Sequence, residues 1–411
     1  MEQYQPLKGV KVIELSLMVA SSTCGRMMAD FGADVIKVEN TGIGDTFRRW
    51  PASVGAPIQD DYNPLFDSLN ANKRAISINL KTEKGQELMY HLLETADVFL
   101  TNVRSEGLKH MKLDYDSLKE RFPKLVVAQL VGYGETGPDK DKPGYDNTAF
   151  WARGGFLYSQ AVGREGEKPF PLYMPMGFGD TACAMALEAG INAALLAAKT
   201  TGKGDRITVS LYGTAMWMAN IMINGTQFGY HYPKTREISS PFGAPYLCKD
   251  GRWFMPQVVQ FERDVPKFYR IIGCEDMLEN PVYMKRPNFN KKEVCEPVIK
   301  RFEAVFAEKT SDEWLKLFAG EDLCCERLAT YEECLEDEMA RVNDYVYPMK
   351  YANGREVKLI RSSVRSERMG LPKYQRGPMQ GEHTISIMED LGYNEETIKG
   401  LLKDGVVKQH D

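Results

Sequence analysis

Hydrophobic positions in the first third of the chain come in short runs separated by stretches of helical spacing. Val10–Leu15 predicts a strand, and Ser22–Phe31 predicts a helix stopped by Gly32. Asp34–Val38 predicts a second strand. Ala75–Leu80 predicts a third, followed by a helix over Thr82–Thr95. Val98–Leu100 and Leu125–Val131 predict a fourth and a fifth. A long helix is predicted over Thr181–Lys199, ended by Thr201-Gly202-Lys203-Gly204, and Ile207–Leu211 returns to strand. Strands alternating with helices imply βαβ units and a parallel sheet.

The remainder changes character. Tyr230–Tyr246 is rich in Pro, Ser and Gly and predicts a linker. Beyond it, a strand pair (Pro245–Leu247 and Trp253–Pro256) leads into helices, one opened by the capping-box pattern Thr310-Ser311-Asp312-Glu313. The expected layout is a large α/β domain over 1–229, a linker over 230–245, a smaller α+β domain over 246–335, and a return segment, 336–411, joining the large domain. Ligands of open parallel sheets lie beyond the carboxyl ends of the strands. Attention therefore falls on Met18–Ser22, Glu39–Asp45, Thr101–Arg104 and Gly132–Asp146.

Composition narrows the classes. The 411 residues are 43% hydrophobic and 27% charged, as in ordinary globular proteins, which excludes a disordered or fibrous chain. With 52 Lys+Arg against 57 Asp+Glu, the net charge of −5 argues against general nucleic-acid binding but leaves room for a local basic pocket. The longest apolar stretch, Ala182–Ala198, carries Glu188 and Asn192, so no membrane span is expected. Met1-Glu2-Gln3-Tyr4 lacks the basic start and apolar core of a secretion signal. The eight cysteines form no CxxC pair and no zinc spacing, and read as reduced thiols of a cytoplasmic protein. The histidines show no metal-binding pattern, and none is expected to hold a metal.

Gly132-Tyr133-Gly134-Glu135-Thr136-Gly137 matches GxGxxG after a strand. A dinucleotide fingerprint must open a helix, yet Pro138–Gly144 is a charged loop, so a turn is expected instead. In Met176-Gly177-Phe178-Gly179-Asp180-Thr181, two glycines flank Phe178 and would let the backbone approach a ligand. Asp180 then stands at the start of the long helix, as an N-cap, a nucleophilic carboxylate, or both. Asn72-Lys73-Arg74 and Asn102-Val103-Arg104 flank strands and could face a phosphate-bearing ligand or simply solvent.

Leu7–Leu15 followed by Gly32–Glu39 resembles the opening of the family III CoA-transferases, the formyl-CoA and carnitine CoA-transferase family. Asn70–Arg74, Gly144-Tyr145-Asp146, Gly179-Asp180, Thr201–Asp205 and Gly381–Thr384 match further family blocks in order, over nearly the whole chain. The resemblance implies a Rossmann-like large domain with a smaller domain, and two chains threaded as an interlocked homodimer. It also implies coenzyme A as a co-substrate, with no permanently bound cofactor. Gly132–Asp141 and Thr148–Gly155 resemble the branch acting on 2-hydroxy acids such as (R)-phenyllactate and (R)-2-hydroxyisocaproate. Related α-methylacyl-CoA racemases carry a histidine where this chain has Tyr145. The oxalate-linked transferases carry a glutamine at the position of Val19, an arginine at that of Asn40, and a glycine run where this chain has Glu237–Gly243. The racemase-like reading, and transfer to carnitine, oxalate or a bile acid, remain as alternatives.

By this correspondence Asp180 is the catalytic nucleophile. It attacks the donor thioester to give an anhydride, then takes CoA as an aspartyl thioester, from which CoA passes to the acceptor acid. Val19 and Ala20 border the CoA thiol, and Asn40 stands in the same binding region. Asn72, Lys73, Arg74, Asn102, Val103 and Arg104 line the nucleotide, with His110 replacing a family arginine. Tyr145 and Asp146 lie near the reaction centre. Asp180 is expected to be ionised at neutral pH without special tuning. An apolar wall at Leu17, Met18 and Val19 suits an acid with an apolar side chain.

Overall fold

The computed structural model describes residues 4–163, 168–232, 235–236 and 240–410. They form two compact units. The first gathers the described residues of stretches 1–156, 174–227 and 338–411, and the second those of 157–173 and 228–337.

The first unit is built on strands β1 (Lys11–Leu15), β2 (Asp34–Glu39), β3 (Arg74–Ile78), β4 (Val98–Thr101), β5 (Val126–Val131) and β6 (Arg206–Ser210). They pair in parallel in the order β3-β2-β1-β4-β5-β6, and Val407–Lys408 adds an antiparallel edge to β3. Ile13 of β1 lies beside Ile36 on one flank and Phe99 on the other. The apolar runs read as strands because both faces are covered: every residue of β4 and β5 is buried. One core joins Ile13, Ile36, Ile76 and Phe99 to Leu88, Met89 and Leu92 of the Glu83–Glu94 helix. Thr82 Oγ1 caps that helix, accepting from Gly85 N–H at 3.1 Å. The strand order reverses between β1 and β4, which creates a crevice at their carboxyl ends.

Two helix starts differ from the sequence reading. Helix α1 spans Ala20–Asp30. The long helix spans Phe178–Thr201 and is capped by Gly177 at φ 81°, so Asp180 lies in its first turn and is not its N-cap. A left-handed glycine turns the chain into the helix earlier than an Asp cap would. By length and composition this helix could cross a membrane. Its Cys183, Ala184, Leu187, Glu188 and Ile191 are buried, and it packs on α1, β5 and β6. The Gly132–Gly137 turn opens no helix, and its Glu135 pairs with Arg206 at 2.5 Å.

The end of the chain is fastened to the first unit by specific polar contacts. Asp67 accepts from Tyr351 Oη–H at 2.6 Å and from Gly377 N–H at 2.8 Å, and Tyr374 Oη–H donates to Asp30 at 3.0 Å. His383 N–H donates to Ala75 O at 3.0 Å, and Thr384 Oγ1 accepts from Ser77 N–H at 3.2 Å. The Gly381–Thr384 block thus docks along β3.

The second unit carries an antiparallel sheet of Tyr246–Leu247, Trp253–Pro256 and Cys325–Arg327. Its core is aromatic: Phe242, Tyr246, Phe254, Phe268, Phe302, Phe306, Trp314 and Phe318 are all buried. Thr310 and Glu313 form the expected capping box, with Glu313 Oε2 accepting from Thr310 N–H at 2.8 Å. Glu237, Ile238 and Ser239, in the stretch compared with the glycine run, lie outside the described residues, as does part of the expected 230–245 linker.

Candidate active site

The crevice between β1 and β4 is closed by one side chain. Asn102, just after β4, accepts from Leu17 N–H at 3.1 Å and donates to Leu17 O at 2.7 Å, clipping the two strand-end loops together. Met18 and Val19 follow. Val19 is buried with Phe47 and Phe66, with Met18 and Trp50 packed against them. A Cβ built on Gly177 would lie 3.5 Å from Val19 Cγ1. The β1 loop and the start of the long helix therefore meet.

Asp180 stands on that start, half-buried, beside a second carboxylate. Asp146 opens a wide helical turn, Asp146–Ala152, and is itself buried. Its Oδ2 accepts from Gly177 N–H at 3.0 Å and Trp151 Nε1–H at 3.2 Å, and its Oδ1 from Asp180 N–H at 3.2 Å. Asp146 thus caps the long helix from another part of the chain. Gly179 makes this possible: a Cβ there would come within 2.3 Å of Phe150 Cγ and 2.4 Å of Asp146 Oδ1. Of the two glycines around Phe178, Gly179 serves internal packing and Gly177 makes the left-handed turn into the helix. Phe150, Trp151, Phe156 and Phe178 form a chain of neighbouring rings around the pair.

Electrostatics follow from this packing. Burial first, and then the nearby Asp146 charge, push the Asp180 carboxyl up to about 7. The expectation of an untuned, fully ionised Asp180 is corrected accordingly. Burial also raises Asp146, although its N–H donors oppose the shift. The N–H groups of Gly177 and Asp180 are directed to Asp146, so this glycine loop does not present them as free oxyanion donors.

The expected nucleotide contacts separate into two groups. Asn72, Lys73 and Arg74 stand at the amino end of β3, whereas Asn40, Asn102, Val103 and Arg104 follow the carboxyl ends of β2 and β4. Lys73 is a correction. Its ammonium is fully buried, 2.7 Å from Glu14 Oε2 and 2.9 Å from Asn70 Oδ1, where no solvent-borne phosphate reaches it. Arg74 pairs with Asp34 and Asp390, both at 2.7 Å. Asn72 holds the chain end, donating to Lys373 O at 3.0 Å and accepting from Gln375 N–H at 2.8 Å. These three residues brace the fold.

Asn40 is exposed and accepts from Gly42 N–H at 2.9 Å, shaping the loop after β2. Val103 is half-buried, and its carbonyl accepts from Gln129 Nε2–H at 3.0 Å. Arg104 and His110, flanking and ending the Ser105–His110 helix, are exposed, as is Tyr145, while Ala20 is buried at the start of α1. Trp151 went unrecognised as a neighbour of the carboxylate pair, because no local pattern links a tryptophan to a carboxylate reached through a wide turn. Among the described residues, no group of three or more His, Cys, Asp or Glu could hold a metal ion.

Comparison with known proteins identifies the family. The chain is 40% identical over 403 residues to (R)-2-hydroxy-4-methylpentanoate CoA-transferase of Clostridioides difficile, covering 98% of this chain and 99% of that protein. It is 42% identical over 400 residues to cinnamoyl-CoA:phenyllactate CoA-transferase of Clostridium sporogenes, covering 96% of each. A crystal structure of a CaiB/BaiF family protein from Brucella suis superposes with a TM-score of 0.77 at 26% identity, over 95% of this chain and all of that one. The model of CoA-transferase family III matches residues 7–384, from just before β1 to the end of the Gly381–Thr384 block that docks along β3. With relatives of this closeness over almost its full length, the chain belongs to CoA-transferase family III.

Proposed function

We propose that this enzyme moves CoA from an acyl-CoA to an (R)-2-hydroxy acid bearing a branched or aromatic side chain, with Asp180 as the covalent relay. The observation that carries the mechanism is the half-buried Asp180 carboxyl, beside Asp146, on a turn that abuts Val19 at the β1–β4 crevice. The ionised Asp180 attacks the thioester carbonyl, and the C–S bond breaks to give an anhydride and CoA thiolate. The thiolate attacks the aspartyl carbonyl, releasing the donor acid and leaving an aspartyl-CoA thioester. The acceptor carboxylate attacks this thioester, forming a new anhydride and again freeing the thiolate. Thiolate attack on the acceptor carbonyl then yields the new acyl-CoA and regenerates Asp180. One thioester is consumed and one formed, so the exchange requires no external energy source. Partial burial removes water from a weak nucleophile, and a carboxyl near 7 is still ionised in about half the molecules at neutral pH.

The substrate class is supported by the names of the two relatives and by the residues at the crevice. Leu17 and Met18 offer no side-chain donor to a second carboxylate. Burying such a group unpaired costs several kcal/mol, whereas an apolar side chain gains ~1.5–3 kcal/mol. Asn40, Asn102, Val103, Arg104 and His110 remain the proposed CoA contacts, with Val19 and Ala20 near the thiol and Tyr145 near the acceptor. An interlocked homodimer is part of the proposal, supported by the large exposed apolar side chains Leu196, Trp217 and Ile221, which a partner chain would cover. A cytoplasmic setting agrees with the free thiols. The test is a panel of acids offered with one donor acyl-CoA and read by mass spectrometry. Phenyllactate or 2-hydroxyisocaproate should exceed oxalate and formate at least a hundredfold in kcat/KM. A ratio for oxalate within tenfold of either would defeat the substrate reading, and altered stereochemistry without a second acid would favour a racemase.

A further inference from the structure

Met18, at the mouth of the crevice, has φ 63°, a left-handed backbone that a non-glycine residue rarely adopts. Its N–H donates to Asp45 Oδ1 at 2.9 Å, and the same oxygen accepts from Phe47 N–H at 2.9 Å. Asp45 is fully buried and held by two further contacts, the second of them braced in turn by Arg48. Lys37 Nζ lies 2.9 Å from its Oδ2, its own N–H donates to Glu39 Oε2 at 2.7 Å, and Arg48 Nε–H fixes that Glu39 oxygen at 2.9 Å. Lys37 continues to Glu14 at 3.0 Å, and Glu14 to Lys73 at 2.7 Å. A buried line of alternating charge, Lys73–Glu14–Lys37–Asp45, therefore ends on the Phe47 amide within its own loop and on one amide from another loop, that of Met18. That amide belongs to the residue before Val19, whose side chain abuts the Gly177 turn leading to Asp180.

We propose that Asp45 is a positioning residue of the transfer reaction, holding the Met18–Val19 turn in the shape that forms one wall of the Asp180 site. This rests on the reading of Asp180 as the covalent relay. A reacting site needs its walls held to within about 0.5 Å, and a loop residue in a disfavoured conformation drifts unless something holds it. A carboxylate fixed by a buried ammonium gives a more rigid anchor than water would, because Asp45 and Lys37 are themselves shut off from solvent. Gly44, which precedes Asp45 at φ 67°, brings the loop so close to Glu39 that a Cβ there would come within 2.6 Å of its Oε2. The chain is built to deliver Asp45 to this point.

The test is a pair of substitutions measured alone and together. Asp45→Ala should lower kcat/KM for acid transfer more than tenfold when Met18 is present, but no more than threefold in the Met18→Gly background, since glycine takes a left-handed φ unaided. Asp45→Asn keeps an acceptor oxygen for Met18, so it should stay within threefold of wild-type kcat while melting at a lower temperature, Lys37 having lost its partner charge. Equal losses from Asp45→Ala in both backgrounds would overturn the proposal. So would a folded Asp45→Asn variant that has lost more than tenfold, which also decides the matter if Asp45→Ala fails to fold. Hydrogen exchange at the Leu17–Ala20 amides gives a readout independent of activity. It should accelerate in Asp45→Ala and not in Asp45→Asn, and no acceleration counts against the role. If the wild-type enzyme transfers CoA to no acid in the panel, the proposed transfer function fails while the exchange result still judges Asp45.

Discussion

At the residue scale, the site turns on a carboxyl whose environment works against its charge. Asp180 is raised to about 7 by burial and by Asp146. A carboxyl whose folded value lies above its unfolded value near ~3.9 contributes stability that is complete below that unfolded value. This contribution is lost as pH rises through about 7. Wild-type protein should therefore become less stable from pH 4 to 7 through this group, and Asp180→Asn should not. The variant's stability should match wild type near pH 4 and exceed it above pH 7 by on the order of 1–3 kcal/mol, read as a higher Tm, while transfer is abolished. Because Gly177 and not Asp180 caps the helix, no cap is lost in the variant. A Tm below wild type at pH 8, or a folded variant with a tenth of normal turnover, would refute this account. Sequence made Asp180 visible through its glycine-flanked block. It could not show the shifted carboxyl, because burial comes from packing in the folded unit and the neighbouring charge, Asp146, lies 34 positions away.

At the element scale, the long helix is aimed by what its first turn leaves out. Gly179 has no side chain where Phe150 and Asp146 press closest. In an open helix, alanine would be favoured over glycine by ~1 kcal/mol. Here the intruding methyl must displace a ring or the Asp146 carboxylate, which costs ~1–3 kcal/mol. Gly179→Ala should therefore lower Tm and cut kcat more than tenfold. Gly400→Ala is the control, since nothing lies within 4 Å of a Cβ on that helical glycine, and it should stabilise slightly. Thermal melts and steady-state rates of the two variants decide the point, and an active, unperturbed Gly179→Ala would exclude tight packing. Periodicity located the helices and parallel strands to within a few residues. It missed the true start of the long helix because a left-handed glycine cap leaves no hydrophobic mark. It missed the Cys325–Arg327 strand because three half-exposed residues carry no alternation.

At the scale of the molecule, charged residues that look alike in sequence divide between holding the protein together and meeting its substrate. Lys73 sits in a closed network with Glu14 and Lys37, and burial draws its ammonium down to about 8 although Glu14 favours the charge. Removing it leaves Glu14 and Asp45 to share the one buried ammonium of Lys37, an excess buried negative charge that costs on the order of 3 kcal/mol. Lys73→Ala should thus unfold at markedly lower denaturant. Arg104→Ala, on an exposed strand-end side chain, should keep its stability and raise KM for acyl-CoA more than it lowers kcat, since phosphate contacts are made alike in ground and transition states. A stable Lys73→Ala enzyme with raised KM would reverse the assignment.

The sequence by itself determined the alternation of strand and helix, the parallel sheet, the blocks that identify the family, and Asp180 as the residue to examine. Each is written in local periodicity or in short ordered motifs, which need no knowledge of distant neighbours. Only the tertiary structure decided which end of a strand a basic residue occupies, and so whether Lys73 and Arg74 face a ligand or brace the fold. It alone joined Asp146 to Asp180, and Asp45 to Met18. Such pairings depend on strand order and on chain crossings within the folded unit, and nothing in the spacing of residues along the chain records them.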